Sequence, residues 1–374
     1  MNAPHTTSAV HLAHHWYVAR RGGERVLEEM ARLFPSAAIS TLFLRRSALP
    51  PELASRDWQV SRLGALAPRW CDHRRLLPLY PSAVRAMRVP AGTRLLLSSD
   101  AALIKGLRKP PGCAHVCYCH TPPRYLWDLA EEYLRGTSGL GLAGRWVFRQ
   151  LLPRLRAFDR AAAADVDVFV ANSRFVAERI RRIYDREAGV VYPPVELARF
   201  RPMPPRDYYL VVAELVAYKR ADLAVAACAR SGRKLIVAGD GPEASRLRTL
   251  AGPTVQFLGR VSDPEVAELM AGCRALLHPQ LEDFGIAALE AQAAGRPVIA
   301  YRGGGALETV REGETGVFFD AQTLPALEVA LADFEARADS FAPEVCRRQA
   351  ERFSAEAFRA GLSQVCGQIV PDLR

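Results

Sequence analysis

Short apolar runs alternate with longer segments of helical periodicity along most of the chain. In the second half these runs have the length of single strands and recur about every 20 to 25 residues. They lie at 209–212, 235–238, 255–258, 275–277, 298–300 and 317–319. This spacing leaves room for one helix between successive strands, which is the arrangement of a parallel α/β sheet.

The first half shows a less regular version of the same pattern. Candidate strands there cover 10–13, 38–43, 95–97, 115–119 and 168–170. Proline is frequent between the halves, and proline restricts the backbone of the residue before it and stiffens a connection. The pattern predicts a first α/β domain at 1–192, a linker at 193–207, a second α/β domain at 208–352 and a closing helix within 353–374.

Candidate chemistry concentrates in residues 278–290, which read HPQLEDFGIAALE. The preceding apolar run predicts a buried strand, Gly285 permits a tight turn, and 286–294 has helical periodicity. Glu282 is therefore expected on the loop after the strand, and Glu290 about one turn into the helix. Ionised carboxylates accept hydrogen bonds at both oxygens, so this pair suits a sugar attached to a phosphate that binds helix N-terminal amides. The spacing alone is also that of a solvated helix face.

Three loops that follow predicted strands carry further candidates. Gly22 and Gly23 open a helix after the first strand, where glycine allows a ligand to approach the backbone, although such a pair is also a common tight turn. His120 follows the strand at 115–119, at the strand end where α/β sheets bind ligands. Lys219 and Arg220 follow the strand at 209–212 and could stabilise a departing diphosphate.

Weaker signals come from five other positions. Arg124 suits a phosphate or an acceptor, and equally a helical pair with the acidic residue four positions later. Ser173 suits the N-cap of a helix that begins at Arg174, and this helix carries several arginines. Gly239 and Val261 follow two more predicted strands of the second domain.

The string EDFG, the AGRPVI that follows it at 294–299, and the three glycines at 303–305 resemble the family-four retaining glycosyltransferases. The resemblance extends over about residues 13–319 and looks closest to mannosyltransferases of bacterial surface polysaccharide synthesis. It implies the GT-B fold, with two Rossmann-like domains that face each other across a cleft and a last helix that crosses back to the first domain. It also implies retaining transfer of a hexose, with mannose favoured, from a nucleotide-diphosphate sugar to a glycan or lipid-linked acceptor.

The resemblance also implies roles for individual residues. The catalytic residues are His120, Glu282 and Lys219, with His120 facing the donor sugar. The donor-binding residues are Gly22, Gly23, Arg220, Gly239, Val261, Asp283, Phe284, Gly285, Ile286, Glu290 and Gly304. The acceptor-side residues are Arg124, Ser173 and Arg174. GDP-mannose is the favoured donor, and no metal cofactor is expected because cationic side chains can neutralise the diphosphate.

One position departs from the family pattern. Glu214 stands in the sequence Ala-Glu-Leu, where the family usually has an arginine before the leucine. A carboxylate cannot neutralise a phosphate, so Arg220 or another cation would have to substitute. The departure keeps open a non-catalytic protein that binds a nucleotide sugar or a glycan. A GT-B sugar-nucleotide epimerase or phosphorylase is the other alternative, although its acid and base residues are not found.

The net charge of +10 is unevenly distributed. Residues 1–200 contain 30 Lys and Arg against 17 Asp and Glu, a net +13, whereas residues 201–374 contain 20 against 23, a net −3. A basic half attracts anionic lipids, phosphorylated substrates or nucleic acids. No nucleic-acid-binding motif is recognised, so an anionic membrane surface or a polyprenyl-pyrophosphate-linked acceptor is the expected partner. The segment 74–90 mixes arginine with apolar residues and suits either a membrane-facing or an ordinary surface helix.

The eight cysteines are scattered and do not form a disulfide framework. Cys113, Cys117 and Cys119 precede His120, but their spacing fits no usual zinc site, so reduced thiols are expected. No apolar run has the length of a membrane span, and no signal-peptide core is recognised at the N-terminus. The expected location is the cytoplasm, peripheral to the inner face of the cell membrane.

Overall fold

Two units make up the computed structural model, which describes residues 8–67, 72–135, 141–371 and 373. The first unit consists of Met1–Pro193 and Phe358–Arg374, and the second of Pro194–Ala357. Almost all of the segment expected as a linker, 193–207, falls in the second unit, where the Val195 N–H donates to the Phe353 carbonyl over 2.9 Å. Cys71 lies outside the described residues.

The first unit is a parallel sheet covered by helices. Its strands are β1 Val10–His14, β2 Ala38–Thr41, β3 Trp58–Val60, β4 Leu95–Asp100, β5 Ala114–Cys119, β6 Val168–Ala171 and β7 Ala188–Val190. They are ordered β3-β2-β1-β4-β5-β6-β7, with every pair parallel. The helices are α1 Gly22–Leu33, α2 Pro51–Ala54, α3 Arg62–Leu66, α4 Tyr80–Ala86, α5 Ala130–Arg135, α6 Leu142–Ala164 and α7 Arg174–Tyr184.

The second unit repeats this architecture with six strands. They are β8 Tyr209–Val212, β9 Leu235–Ala238, β10 Val255–Gly259, β11 Leu276–His278, β12 Val298–Tyr301 and β13 Gly316–Phe319. The order is β10-β9-β8-β11-β12-β13, again all parallel. The helices are α8 Ala221–Ser231, α9 Ala244–Leu250, α10 Asp263–Gly272, α11 Ile286–Ala293, α12 Ala306–Thr309, α13 Leu324–Ala336 and α14 Pro343–Glu351.

The closing helix, α15 Ala355–Ile369, packs on the sheet of the first unit. Its buried side chains Phe358, Leu362 and Cys366 join the apolar core under β1, β4 and β5. The Phe358 ring meets Tyr118 of β5 edge to face, with 5.5 Å between ring centroids. This burial stabilises the return of the chain to the first unit.

The predicted α/β class is confirmed, and all eleven predicted strands are present, nine of them with shifted ends. Two strands were missed because neither has an apolar run. In β3, Trp58 is buried but Gln59 is exposed, and β7 has Gly189 at its centre. The strand expected at 38–43 ends at Thr41, and the Leu42 N–H beyond it donates to the His15 carbonyl over 3.3 Å.

Candidate functional site

The sheet order of the second unit reverses between β8 and β11, and sheets of this kind bind ligands beyond the carboxyl ends of the strands at such a reversal. Lys219 lies on the loop after β8, and Glu282 lies on the loop after β11. The Lys219 ammonium forms an ion pair with Glu282 Oε1, and each side chain is less than one-fifth exposed. Two residues that the sequence assigned to different parts of the donor are therefore in direct contact.

A buried amide connects this ion pair to the end of β11. Gln280 Nε2 lies 3.3 Å from Glu282 Oε1 and 3.0 Å from His278 Nδ1. Burial lowers the pKa of His278 to about 4, although the Glu282 carboxylate acts in the opposite direction. Neither His278 nor Gln280 was predicted as a site residue. The sequence signal for these two polar residues was their position directly after the apolar run at 275–277.

Three consecutive glycines hold the backbone of the Glu282 loop. The Gly305 N–H donates to the Glu282 carbonyl over 2.9 Å. A Cβ on Gly304 would lie 2.2 Å from the same carbonyl oxygen, and one on Gly305 would lie 2.3 Å from the Cα of Phe284. Glycine is therefore required for this close approach, and Gly304 also has a positive φ of 61°.

The loops after β8 and β9 interlock in the same way. Gly239 has a φ of 143°, and a Cβ there would lie 1.8 Å from the Ala213 carbonyl oxygen. The Leu215 N–H donates to the Asp240 carbonyl over 3.0 Å. Glu214 is partly buried between these contacts. The structure thus gives Gly239 a packing function, and its expected donor contact stays a prediction.

Arg220 has the left-handed conformation, with a φ of 52°, which is uncommon for a residue other than glycine. Its guanidinium contacts the Asp222 carboxylate at 3.1 and 3.3 Å and donates to the Gln322 carbonyl over 3.2 Å. Gln322 in turn donates to the Pro279 carbonyl over 2.7 Å. Arg220 therefore ties the loops after β8, β11 and β13 together, and its expected phosphate contact stays a prediction.

Glu290 lies within α11, where the sequence placed it, and it has a cation of its own. Arg199 Nη1 lies 3.6 Å from Glu290 Oε1, and the same guanidinium reaches Glu196 and Asp263 at 3.3 and 3.5 Å. Arg199 precedes the second sheet in the chain and was not predicted as a site residue. The two glutamates of the motif are thus each paired with a different cation, Lys219 or Arg199.

The remaining donor residues of the second unit surround this loop. The Phe284 ring is buried and packs against Phe353, with 5.6 Å between centroids, so only its backbone remains for a ligand. Gly285, with a φ of 94°, precedes the first residue of α11, Ile286. Asp283 lies on the loop itself, and Val261 follows β10 and is partly buried. The positions of these residues do not contradict the donor-binding roles predicted for them.

The first unit has a corresponding reversal between β1 and β4. The Ser99 hydroxyl, near the end of β4, hydrogen-bonds His120 Nε2 at 2.8 Å and His14 Nδ1 at 2.9 Å. A Cβ on Gly23, at the start of α1, would lie 3.7 Å from His120 Nε2. Gly23 and His120, which the sequence predicted separately, are therefore adjacent. The contributions of His14 and Ser99 were missed.

These imidazoles are held in the neutral form. Burial, reinforced by His15, lowers the pKa of His120 to about 3, although Asp100 acts in the opposite direction. Burial also lowers the pKa of His14 well below its usual value. A neutral histidine can donate a hydrogen bond at one ring nitrogen and accept one at the other. The group suits a polar ligand without adding positive charge.

The acceptor-side candidates are more scattered. Ser173 is fully buried, and its hydroxyl accepts from the Val176 N–H over 3.0 Å, so it is the N-cap of α7. Arg174 is the exposed first residue of that helix. Asp128, the expected helical partner of Arg124, pairs with Arg179 and Arg182. The acceptor roles of Arg124, Ser173 and Arg174 stay predictions.

The cysteines near His120 are free and buried on or beside β5. Burial raises the pKa of Cys117 to about 12 and the pKa values of Cys113 and Cys119 above their usual range, so all three are protonated thiols at neutral pH. In the described part of the chain, no three His, Cys, Asp or Glu side chains group in a way that could hold a metal ion.

Residues 199–352, which cover nearly all of the second unit, match the family model for group 1 glycosyl transferases. The Anabaena protein HepE, solved in complex with UDP, superposes with a TM-score of 0.70 at 16% identity and covers 96% of this chain and 100% of its own. The second unit is thus similar to the group 1 glycosyltransferases, and the whole chain has the GT-B fold.

Several mannosyltransferases are similar to part of this chain. A GDP-mannose-dependent alpha-mannosyltransferase of Corynebacterium glutamicum is 31% identical over 41% of this chain and 37% of its own length. A GDP-mannose-dependent alpha-(1-6)-phosphatidylinositol monomannoside mannosyltransferase of Mycobacterium tuberculosis is 30% identical over 51% and 58%. The matches thus span between about one-third and three-fifths of the length of these two relatives.

Proposed function

We propose that this protein is a group 1 glycosyltransferase that transfers mannose from GDP-mannose, with retention of the anomeric configuration, to a glycan or lipid-linked acceptor in surface polysaccharide synthesis. The observation that carries the proposal is the ion pair between Lys219 and Glu282 beyond the carboxyl ends of β8 and β11. This ion pair places a cation that can bind the diphosphate beside a carboxylate that can bind the sugar, and both residues lie in the unit that matches the group 1 family model. The names of the two mannosyltransferases above support the choice of donor.

The charges of the pair explain how a donor would bind. A diphosphate brings negative charge that competes with Glu282 for the Lys219 ammonium, and charge-assisted contacts of this kind are strong where solvent is limited. As Lys219 turns to the diphosphate, Glu282 becomes available to the hydroxyls of the sugar. Glu290, which is partly neutralised by Arg199, is proposed to accept hydrogen bonds from the ribose.

The transfer step requires no protein base. The acceptor hydroxyl oxygen forms a bond to the anomeric carbon on the face from which the diphosphate departs, and the bond between that carbon and the β-phosphate oxygen breaks. The acceptor proton passes to the departing phosphate oxygen, and the products are the glycoside and a nucleoside diphosphate. Lys219 stabilises the charge that develops on the diphosphate, which is where preorganised electrostatics lowers a barrier most.

The acceptor is proposed to be presented at an anionic membrane surface. The positive charge of the chain lies in residues 1–200. On α6 of the same unit, Leu142 and Trp146 are 79% and 65% exposed, and both Arg145 and Arg149 are close in sequence. Arginine beside exposed Trp and Leu is the composition of surfaces that bind anionic lipid. No helix in the described ranges is long and apolar enough to cross a bilayer.

A screen of nucleotide sugars tests the donor. GDP-, UDP-, ADP- and dTDP-sugars are each added to the protein, and the melting temperature is measured, because a ligand that binds only the folded state stabilises it by mass action. We expect the largest increase with GDP-mannose. Transfer is then measured with acceptors presented in anionic or in zwitterionic vesicles, and the anomeric configuration of the product is read by NMR.

The results of the melting-temperature screen and the transfer assay distinguish the proposed function from its alternatives. Transfer from GDP-mannose with retention, faster in anionic vesicles, supports the proposal in full. Strong stabilisation without transfer to any acceptor indicates the non-catalytic binding protein, and conversion of the sugar on its nucleotide indicates an epimerase. If no nucleotide sugar changes the melting temperature or reacts, the proposed function is wrong.

A further inference from the structure

Gln280 is a buried polar residue that no part of the proposed reaction uses. Its side chain is 3% exposed, and His278, two residues earlier, is 1% exposed. The Gln280 amide nitrogen reaches both His278 Nδ1 and Glu282 Oε1, at 3.0 and 3.3 Å. It is therefore placed between the end of a buried strand and the carboxylate that we propose binds the sugar.

The carboxylate fixes the direction of this chain of hydrogen bonds. An ionised glutamate can only accept, so the Gln280 NH₂ group must point towards Glu282, and its second hydrogen is left for His278. His278 Nδ1 is then the acceptor. Because the imidazole is neutral, its proton resides on Nε2, which is buried and has no hydrogen-bond partner within the described residues.

His278 provides a rigid anchor for this arrangement. It ends β11, which pairs with β12 through the register of His278 with Ala300. A Cβ on Gly285 would lie 3.4 Å from His278 Nε2, so the start of α11 closes over the ring. An imidazole enclosed by strand and helix cannot easily reorient, and it fixes the Gln280 amide in turn.

We propose that Gln280 is a positioning residue, which holds Glu282 Oε1 through its NH₂ group so that the carboxylate keeps its place when the Lys219 ammonium turns to the donor diphosphate. The inference rests on the proposed function. Without this amide, Glu282 Oε1 loses a buried donor that does not depend on Lys219, and the acceptor for the sugar is less well preorganised.

Two substitutions of Gln280 distinguish a role in positioning Glu282 from a role in packing alone. Gln280→Met keeps the length of the side chain and removes both donors, so we expect kcat/KM for the nucleotide sugar to fall about tenfold or more. Gln280→Glu keeps the shape, but an ionised carboxylate there repels Glu282. When this new carboxyl is protonated, its O–H can donate to Glu282 again. The ratio of the Gln280→Glu rate to the wild-type rate should therefore rise severalfold from pH 8.5 to pH 6.

The titratable groups in printed contact with Gln280 or Glu282 are Glu282, Lys219 and His278, and all three remain in both Gln280 variants. Gln292→Met is the matched control, since Gln292 is a buried glutamine of the same unit whose amide donates to the backbone carbonyls of Ala288 and Thr309. We expect the ratio of the Gln292→Met rate to the wild-type rate to stay constant from pH 6 to pH 8.5. The affinity for the free nucleoside diphosphate, which lacks the sugar, should change less than threefold in both Gln280 variants.

An NMR measurement tests the inference even without turnover. In protein labelled with ¹⁵N-histidine, with His278→Gln for assignment, we expect His278 to be protonated at Nε2 and its Nδ1 resonance to shift in Gln280→Met. Protonation at Nδ1 overturns the inference, as does a flat pH ratio for Gln280→Glu or wild-type kcat/KM in Gln280→Met. If the wild-type protein transfers no sugar while the tautomer is as expected, the proposed function is wrong and the arrangement of Gln280 stands.

Discussion

At the scale of single residues, Lys219 and Glu282 neutralise each other in a place where neither is well solvated. Both side chains are less than one-fifth exposed, and Gln280 contacts the shared oxygen. Removal of one member leaves the charge of the other less well compensated, which is often more costly than removal of both. The two residues should therefore behave as one unit in kinetic measurements.

A double-mutant cycle measures this coupling. We expect Lys219→Ala and Glu282→Ala each to lower kcat/KM for the nucleotide sugar by about 100-fold or more, because one loses the diphosphate cation and the other the sugar acceptor. The double variant should lose much less than the product of the two effects. Lys234→Ala, which removes an exposed lysine paired with Asp207, is the control and should retain activity. Effects that simply multiply would contradict the coupling.

At the scale of secondary-structure elements, a buried ion cluster joins β4 to α6 in the first unit. Lys105 contacts Asp100 at 3.2 Å and Asp159 at 2.5 Å, and all three side chains are almost completely buried. Burial alone would lower the pKa of Lys105, but the two carboxylates raise it well above its usual value. The Asp100 carbonyl also accepts from the His120 N–H over 2.8 Å, so the cluster supports the loop that carries His120.

Replacement of the buried lysine tests the importance of this cluster. Lys105→Met leaves two buried carboxylates without their cation, and we expect a loss of about 3–5 kcal/mol in the free energy of unfolding. Lys109→Met, four residues later, removes a more exposed ion pair with Asp167 and should cost about 0–1 kcal/mol. Urea titrations followed by tryptophan fluorescence measure both. Equal losses in the two variants would show that the cluster adds no stability of its own.

At the scale of the whole molecule, the two units differ in their response to acid. Among the residues that the structure describes, burial lowers the pKa of six histidines in the first unit and of one, His278, in the second; the six are His11, His14, His15, His73, His115 and His120. A histidine with a lowered folded-state pKa stays neutral while the unfolded chain takes up a proton below about pH 6.5. Stability from these residues is therefore present above pH 6.5 and is lost as the pH falls towards 4.

Acidification should thus weaken the first unit first. Each buried neutral histidine removes up to about 1.4 kcal/mol of stability per pH unit below 6.5. Glu24 acts in the opposite direction, since burial raises its pKa to about 7, but it is a single group. All five tryptophans precede residue 147 and report on the first unit. We expect the urea midpoint from fluorescence to fall between pH 7.5 and pH 5 by more than the midpoint from far-ultraviolet circular dichroism. Equal decreases of the two urea midpoints would contradict a larger effect of acid on the first unit.

Much of the fold could be predicted from the sequence, because buried parallel strands are apolar on both faces and leave a local signal. The runs at 209–212 and 235–238 became β8 and β9 without any change of bounds. The strands β3 and β7 could not be found, since their residues are held by neighbouring strands rather than by their own apolar content. The predicted GT-B class is confirmed by the sheet orders and the solved neighbours.

The candidate site shows the same division between local and long-range information. Local sequence was enough to place Glu282 on a loop, Glu290 on a helix and Lys219 after a strand, because each placement depends on nearby residues. The contact of Lys219 with Glu282, the position of Gln280 between Glu282 and His278, and the reach of Arg199 to Glu290 follow from the folded arrangement of distant segments. Lys219 and Arg199 are distant in sequence from their partners, and the buried bonds of Gln280 form only when the folded loops exclude water from them.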